Sequence, residues 1–295
     1  MLDFNTSLLL KIISSIFFLI SGIVWKKLLI GGGKNYHYIF YRVIATLFFF
    51  LLIQFYLQYN EIEKLDKSVS IIDYKDWIVC VSICLFSFWG LYFYTAALQK
   101  GRLSFITPLI VISSAISFIT SLLVYNEALS IEKYLSILLI LTGLFLHQKE
   151  KLTDFKISNE VLLIMLFSVF WGISFVLYLI PIKKFGVLNF SMILELCVFI
   201  SCVGLLVFKE NRIFPPKLNI IELLFCLLMG FLVAGGSLLS NFTLTQFPVS
   251  LNILIGLLFE LIVLAVGLYF FREKLNKKDW ILIALATTGG FLLLF

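Results

Sequence analysis

Apolar residues run along most of the chain in long stretches that are separated by short polar gaps. A helix needs about 20 predominantly apolar residues to cross the hydrocarbon core of a bilayer. The stretches of this length cover residues 7–30, 38–59, 77–98, 103–125, 131–147, 160–180, 188–208, 221–246, 249–271 and 279–295. None alternates strictly between apolar and polar residues, as barrel strands do. The pattern predicts an all-α integral membrane protein with about ten transmembrane helices.

Composition supports the membrane interpretation. Of the 295 residues, 61% are hydrophobic and 14% are charged, whereas a soluble domain has about 45–50% apolar and about 25% charged residues. The net charge is +6, but the basic residues lie mainly in the gaps between spans, where they meet lipid headgroups. We therefore expect the lipid bilayer as a partner and no nucleic acid.

The second half of the chain repeats the first. A shift of 146 residues places Glu127 on Glu273 and Gly143 on Gly289. Earlier in each half the shift is 153 residues, and it superposes the triplet Phe18, Ser21 and Trp25 on the triplet Trp171, Ser174 and Tyr178. Each triplet lies on one face of a helix. We predict two five-helix repeats, at residues 1–150 and 151–295.

Each predicted repeat has five spans, so the second repeat must insert upside down relative to the first. Inverted repeats are the architecture of many secondary transporters, whose substrate sites lie near the midplane between the repeats. The pattern predicts a permease or exporter that moves a small-molecule solute by alternating access. The alternatives are a membrane-embedded enzyme and a structural subunit without transport activity.

Short motifs follow one another in a fixed order: Tyr94-Thr95-Ala96-Ala97-Leu98, Pro108 before a serine-rich helix, Asn126-Glu127-Ala128-Leu129-Ser130, Thr142-Gly143, Phe170-Trp171-Gly172-Ile173-Ser174-Phe175 and Phe271-Arg272-Glu273-Lys274-Leu275-Asn276. Together they resemble two copies of the EamA domain of the drug/metabolite transporter superfamily. The resemblance implies a ten-helix inner-membrane carrier of amino acids, other metabolites or toxic compounds. It also implies a cavity lined by helices 1, 3, 4, 6, 8 and 9. The solute stays open, because a fold does not assign function.

Glu260 lies near the middle of the ninth span. A charge at this depth costs about 2.5–3.5 kcal/mol on the insertion scale, so it indicates function by default. Asn252, Gly256 and Glu260 recur at helical spacing and form one small, polar face. We predict that Glu260 couples a proton or another ion to transport. The alternative is a protonated glutamate that is hydrogen-bonded between helices.

Other polar and aromatic residues share helix faces and are predicted to contact the solute. They are Ser21, Trp25, Trp89, Tyr92, Ser113, Ser117, Trp171, Ser174, Tyr178, Ser237 and Asn241. Serines also serve close helix packing, and aromatic rings also face lipid, so both alternatives stay open. The amide of Asn241 needs a hydrogen-bond partner in any case, because burial without one is costly.

Arg42 and Glu195 occupy equivalent positions under the 153-residue shift. Both lie within about two turns of a span end, so snorkelling, a local ion pair or a substrate role can explain them. Glu127 and Glu273 end their spans directly before short turns. We predict that these two glutamates fix the turns.

The remaining chemistry-bearing residues form no pattern typical of an enzyme. The five cysteines all lie inside apolar runs, and the two histidines lie near span ends. We therefore expect buried cysteines, no bound metal, no cofactor and no enzymatic activity.

Membrane orientation is open, because two arguments disagree. Most basic residues lie at the face opposite the termini, and the positive-inside rule then places the termini outside. The family resemblance suggests that they lie inside.

Overall fold

The computed structural model describes residues 3–60, 72–100, 103–126, 130–132, 134–136, 138–139, 142–143, 146, 159–253, 255–256, 269 and 277–292. All regular structure within these residues is helical. The helices are α1 (Phe4–Ile30), α2 (Asn35–Tyr59), α3 (Tyr74–Lys100), α4 (Leu103–Tyr125), α5 (Asn159–Leu177), α6 (Leu179–Phe185), α7 (Val187–Glu210), α8 (Ile220–Leu244) and α9 (Lys277–Leu292). Helical residues also occur within 131–146 and 249–256.

Six helical segments in the described part of the chain are long and apolar enough to cross a membrane. They are α1, α2, α3, α7, α8 and the segment Leu162–Phe185, which joins α5 and α6. A shorter apolar helix covers Ile112–Tyr125 in α4. The prediction of an all-helical, multi-pass membrane protein is confirmed. The number ten stays a prediction, since parts of the fifth, ninth and tenth spans lie outside the described residues.

Local sequence explains several helix ends. The side chain of Asp3 accepts a hydrogen bond from the backbone N–H of Thr6 and caps α1. Asn219 and Glu222 form a capping box at the start of α8. The helix predicted to end at residue 180 is interrupted at Tyr178 and continues as α6 to Phe185. Pro181 removes one backbone donor there, an interruption that membrane helices tolerate.

α2 and α7, the second helices of the two repeats, pack against each other in opposite directions. Phe50, near the end of α2, packs with Leu188 at the start of α7. His37, near the start of α2, lies beside Glu210 at the end of α7. This pair of helices, equivalent in the two predicted repeats, is therefore antiparallel, as an inverted repeat requires.

The first helix of each repeat packs against the third helix of the other. In one pair, Ser14 of α1 donates a hydrogen bond from Oγ to the Gly236 carbonyl oxygen of α8 at 2.8 Å. In the other, the rings of Tyr94 on α3 and Phe167 on α5 lie 5.2 Å apart between centroids. The same pairing thus occurs twice, with the repeats exchanged.

The chain forms two compact units, which differ from the two repeats. The first combines Met1–Tyr92 with Leu177–Phe247, and the second combines Phe93–Val176 with Pro248–Phe295. Each unit takes chain from both repeats. The division into domains at residues 150 and 151 stays a prediction.

Candidate functional site

In the first unit, buried polar side chains line the contact between α1 and α8. The ammonium of Lys11 donates to Ser240 Oγ at 3.3 Å, and both residues are buried. One turn along α1, Ser14 bonds to the carbonyl oxygen of Gly236. Lys11, which only interrupts an apolar run in the sequence, is therefore an interior residue of this unit.

Asn241 connects α8 to α7. Its side-chain amide donates to Ser191 Oγ at 2.9 Å, and both residues are buried. Asn241 thus has the partner that the sequence required. Ser191 precedes Glu195 by one helical turn. The residue of α7 that contacts α8 therefore lies one turn from the charged residue of α7.

Arg42 and Glu195 form a buried ion pair. Nη1 of Arg42 lies 2.7 Å from Oε1 of Glu195, with 3% and 6% of the two side chains exposed. At a rise of 1.5 Å per residue, Arg42 lies about 10 Å from the first residue of α2, and Glu195 lies about 12 Å from the first residue of α7. Because the helices are antiparallel, these distances start at opposite ends of the contact. The ion-pair interpretation of these residues is confirmed.

A second ionic cluster, the charged end of the α2–α7 contact, contains Lys34, Tyr36, His37, Lys209 and Glu210. Oε1 of Glu210 accepts from Lys34 Nζ at 2.6 Å and from the Tyr36 hydroxyl at 2.7 Å. His37 Nε2 lies 2.9 Å from the same oxygen. Lys34 precedes α2, and its hydrogen bond to Glu210 raises the pKa of Lys34. The cluster ties the start of α2 to the end of α7.

α3 joins the charged end through Tyr92. Lys209 Nζ donates to the Tyr92 hydroxyl at 2.8 Å and lies 5.1 Å from the centre of that ring. Asn35 donates from its amide to the Tyr92 carbonyl oxygen at 3.2 Å. Tyr92 was predicted to contact the solute, and that role stays a prediction. Its described contacts connect α3 to α2 and α7.

In the second unit, α4 and α5 approach closely at Gly172. Any Cβ at this position would lie 2.8 Å from the Ser113 carbonyl oxygen, so glycine is needed there. Ser117 donates to the carbonyl oxygen of Gly172 at 2.9 Å, and Ser174 donates to that of Trp171 at 3.2 Å. These bonds favour helix packing as the role of Ser117.

The predicted site residues are divided between the units. The first unit contains Ser21, Trp25, Trp89, Tyr92, Tyr178, Ser237 and Asn241, and the second contains Ser113, Ser117, Trp171, Ser174 and Asn252. Their convergence on one cavity stays a prediction. Glu260 lies outside the described residues, as do Glu127 and Glu273.

Individual predicted residues have different environments. Ser21, Trp25, Ser113 and Asn252 are buried, and Ser237 is half-buried. The hydroxyl of Tyr178 is hydrogen-bonded to Ser87 Oγ of α3. Trp89 is 38% exposed and contacts the Tyr92 ring at 5.7 Å between centroids. This exposure favours lipid contact for Trp89.

The described residues contain no group of three or more His, Cys, Asp or Glu side chains arranged to hold a metal ion. All five cysteines are buried, as predicted.

The sequence interpretation missed Lys11, Ser191, Ser240 and the charged end. The one usable signal was the spacing of Ser191 and Glu195, which places them on one face of α7.

Comparison with known proteins gives a family and a fold. The model of the EamA-like transporter family matches residues 5–147 and again residues 158–295. A solved structure described as "Crystal structure of protein" is similar, with a TM-score of 0.67 and 12% sequence identity over 98% of this chain and 96% of that chain. At this identity the likeness concerns the fold alone. No curated protein matches the sequence.

Proposed function

Because the chain belongs to the EamA-like transporter family, we propose that it is a secondary carrier for a small metabolite such as an amino acid. The carrier resides in the inner membrane and alternates access to its solute between two inverted repeats. Transport uses the gradient of the solute or of a coupling ion, without a cofactor.

The observation that carries this proposal is the antiparallel contact between α2 and α7. These helices are equivalent in the two repeats, and Arg42 and Glu195, 153 residues apart, meet between them. Carriers with inverted repeats bind substrates and coupling ions near the midplane where the repeats meet. A polar, charged contact of this kind has a direct use in a carrier, because ionisable groups inside membranes mark solute and ion pathways.

Glu260 remains the first candidate for ion coupling. It lies in the middle of an apolar run, and ionisable residues inside membrane spans mark solute and ion pathways. Asn252, two turns earlier on the same predicted face, is buried. Together they supply the polar groups that an ion needs in this span.

Flux measurements in proteoliposomes test the proposal. Vesicles containing the purified full chain are mixed with labelled L-alanine, L-lysine or L-glutamate, and uptake is measured with and without a pH gradient. We expect saturable, protein-dependent movement of at least one of these solutes. The Glu260→Gln variant, which removes the charge and keeps the shape, should lose accumulation against a gradient while remaining folded.

Protein-free vesicles are the control for leakage. Absence of protein-dependent flux for every solute would contradict the carrier proposal and favour a structural subunit or a membrane-embedded enzyme. Unchanged rate and unchanged pH dependence in Glu260→Gln would assign Glu260 to packing.

A further inference from the structure

Residues 207–221 expose large apolar side chains where two membrane helices are joined. This segment, which we call the α7–α8 corner, comprises the last turn of α7, the connection and the first residues of α8. Phe208 is 87% exposed, and Ile213, Phe214, Ile220 and Ile221 are exposed as well. Segments that combine such side chains with basic residues lie at the boundary between lipid headgroups and acyl chains.

Basic residues are interspersed among these apolar ones. Lys209, Arg212 and Lys217 are all exposed. None of the three forms an ion pair with a carboxylate among the described residues. Lys209 is instead bonded to the neutral hydroxyl of Tyr92. Within nine residues of chain, three cations are therefore left without a compensating carboxylate from this part of the protein.

The two ends of the first unit differ in charge. At the end that holds the α7–α8 corner, six described Lys and Arg side chains accompany two carboxylates, whereas at the opposite end there are three of each. The first set is Lys26, Lys27, Lys34, Lys209, Arg212 and Lys217 with Glu210 and Glu222, and the second is Lys75, Lys183 and Lys184 with Asp3, Asp73 and Asp76. Positive charge is in excess only at the first of these ends, so an anionic partner fits there.

The α7–α8 corner is held against α2. The hydroxyl of Tyr41 donates to the Pro216 carbonyl oxygen at 3.0 Å. The rings of Phe40 and Phe214 lie 6.2 Å apart between centroids. Asn211 ends α7 in the left-handed region, at a φ of 51°. The cations of the corner are therefore carried by a segment with its own fixed contacts.

We propose that the α7–α8 corner binds the headgroup of an anionic phospholipid, an inference that does not depend on the carrier function. The lipid phosphate is bound by Lys209, Arg212 and Lys217, since ammonium and guanidinium groups both bind phosphate oxygens. The acyl chains lie against the exposed apolar side chains of the corner. A free phosphate would use the cations alone, whereas a phospholipid uses both kinds of side chain.

The charge of the headgroup determines which lipid is bound. Each basic residue near an anionic membrane surface strengthens binding by about fivefold. A zwitterionic headgroup carries a positive group beside its phosphate, so it loses most of this attraction. With three cations in the corner, we expect a preference for anionic over zwitterionic lipid on the order of a hundredfold in dilute salt.

Lipid binding to the purified full chain in non-ionic micelles tests the inference. The probes are phosphatidylglycerol and phosphatidylcholine with the same pyrene-labelled acyl chains, and energy transfer from the tryptophans reports binding. We expect tighter binding of phosphatidylglycerol, and a preference that decreases between about 0.01 M and about 1 M salt because the charges are screened.

Two double variants assign the preference to the corner. Arg212→Gln with Lys217→Gln removes two cations but keeps the bond between Lys209 and Tyr92. It should bind phosphatidylglycerol about 30-fold more weakly, at about fivefold per basic residue, and should bind phosphatidylcholine as before. The matched control, Lys75→Gln with Lys183→Gln, removes two exposed cations from the opposite end. It should bind both lipids like the wild type.

Competition with sn-glycerol 3-phosphate separates a lipid site from a site for a free anion. We expect no displacement of phosphatidylglycerol by this soluble headgroup, because it lacks acyl chains. Displacement at concentrations equal to that of the lipid would overturn the inference. Equal affinity for the two lipids, or an equal loss of phosphatidylglycerol binding in the two double variants, would also overturn it. None of these results depends on whether the protein transports a solute.

Discussion

The two ends of the contact between α2 and α7 are held by different interactions. At the charged end, Glu210 binds Lys34 and Tyr36 and lies beside His37. At the other end, which we call the apolar end, Phe50, Leu188 and Ala234 form a buried cluster. α2 and α7 are equivalent helices in opposite directions, so inversion relates one end to the other. Equivalent positions therefore carry opposite chemistry.

This difference shows that equivalent helix ends with the same backbone structure can be held by different kinds of interaction. Attraction between charges falls as water and salt reach them, because both screen the charges. Packing between apolar side chains responds little to salt, and inside a bilayer it depends on close contact and dispersion. On the proposed carrier function, the two ends would open under different conditions. Entry of water and salt would loosen the charged end first.

The largest expected effect comes from breaking the apolar end. Phe50→Ala removes a ring that is 0% exposed and leaves a cavity in the cluster. We expect a loss of about 3–5 kcal/mol in the free energy of unfolding, by analogy with buried Phe→Ala changes. The loss should be the same at low and high salt. Denaturant unfolding in mixed micelles measures it.

Phe48→Ala is the matched control, since Phe48 lies on the same helix and is 53% exposed. It should change stability little. If the two variants lost equal stability, packing at the apolar end would not explain how that end is held.

A smaller effect is expected at the charged end. Glu210→Gln removes the charge that pairs with Lys34 at 2.6 Å but keeps an acceptor oxygen. We expect a lower Tm at about 0.01 M salt and a smaller difference at about 1 M, where the screening length is about 3 Å. Thermal unfolding at the two salt concentrations measures this.

Arg212→Gln, at an exposed residue just beyond α7, controls for the loss of a surface charge. A salt-independent loss in Glu210→Gln would mean that hydrogen bonding, and not charge, holds this end. The two ends would then be alike in that screening by salt affects neither of them.

The spans were predictable because apolar length alone determines them. The first, predicted at 7–30, is Phe4–Ile30, and the seventh, predicted at 188–208, is Val187–Glu210. The contacts of the charged end were not predictable, because Lys34 and Glu210 are 176 residues apart. Sequence periodicity describes one helix at a time, and it does not identify the helix that supplies a partner.

Arg42 and Glu195 show how much an internal sequence repeat can predict about a contact. The 153-residue shift identified them as equivalent, and an ion pair was one of three explanations. That they pair with each other depends on where α2 and α7 cross, which the shift does not contain. Lys11 was missed for a related reason, because its burial depends on α8, which supplies Ser240.

The smallest expected effect tests whether packing alone holds the apolar end. Asn241 bonds to Ser191 at 2.9 Å, and Ser191 follows Leu188 on α7 by about one turn. A double-mutant cycle with Asn241→Ala and Ser191→Ala should give a coupling energy of about 0.6 kcal/mol, the typical value for polar pairs between membrane helices. The value is small because an unfolded chain in the membrane also finds hydrogen-bond partners. Unfolding of the four proteins in mixed micelles gives the coupling. A coupling above about 2 kcal/mol would exceed the usual range for such pairs, and it would show that this end is also held by a polar bond.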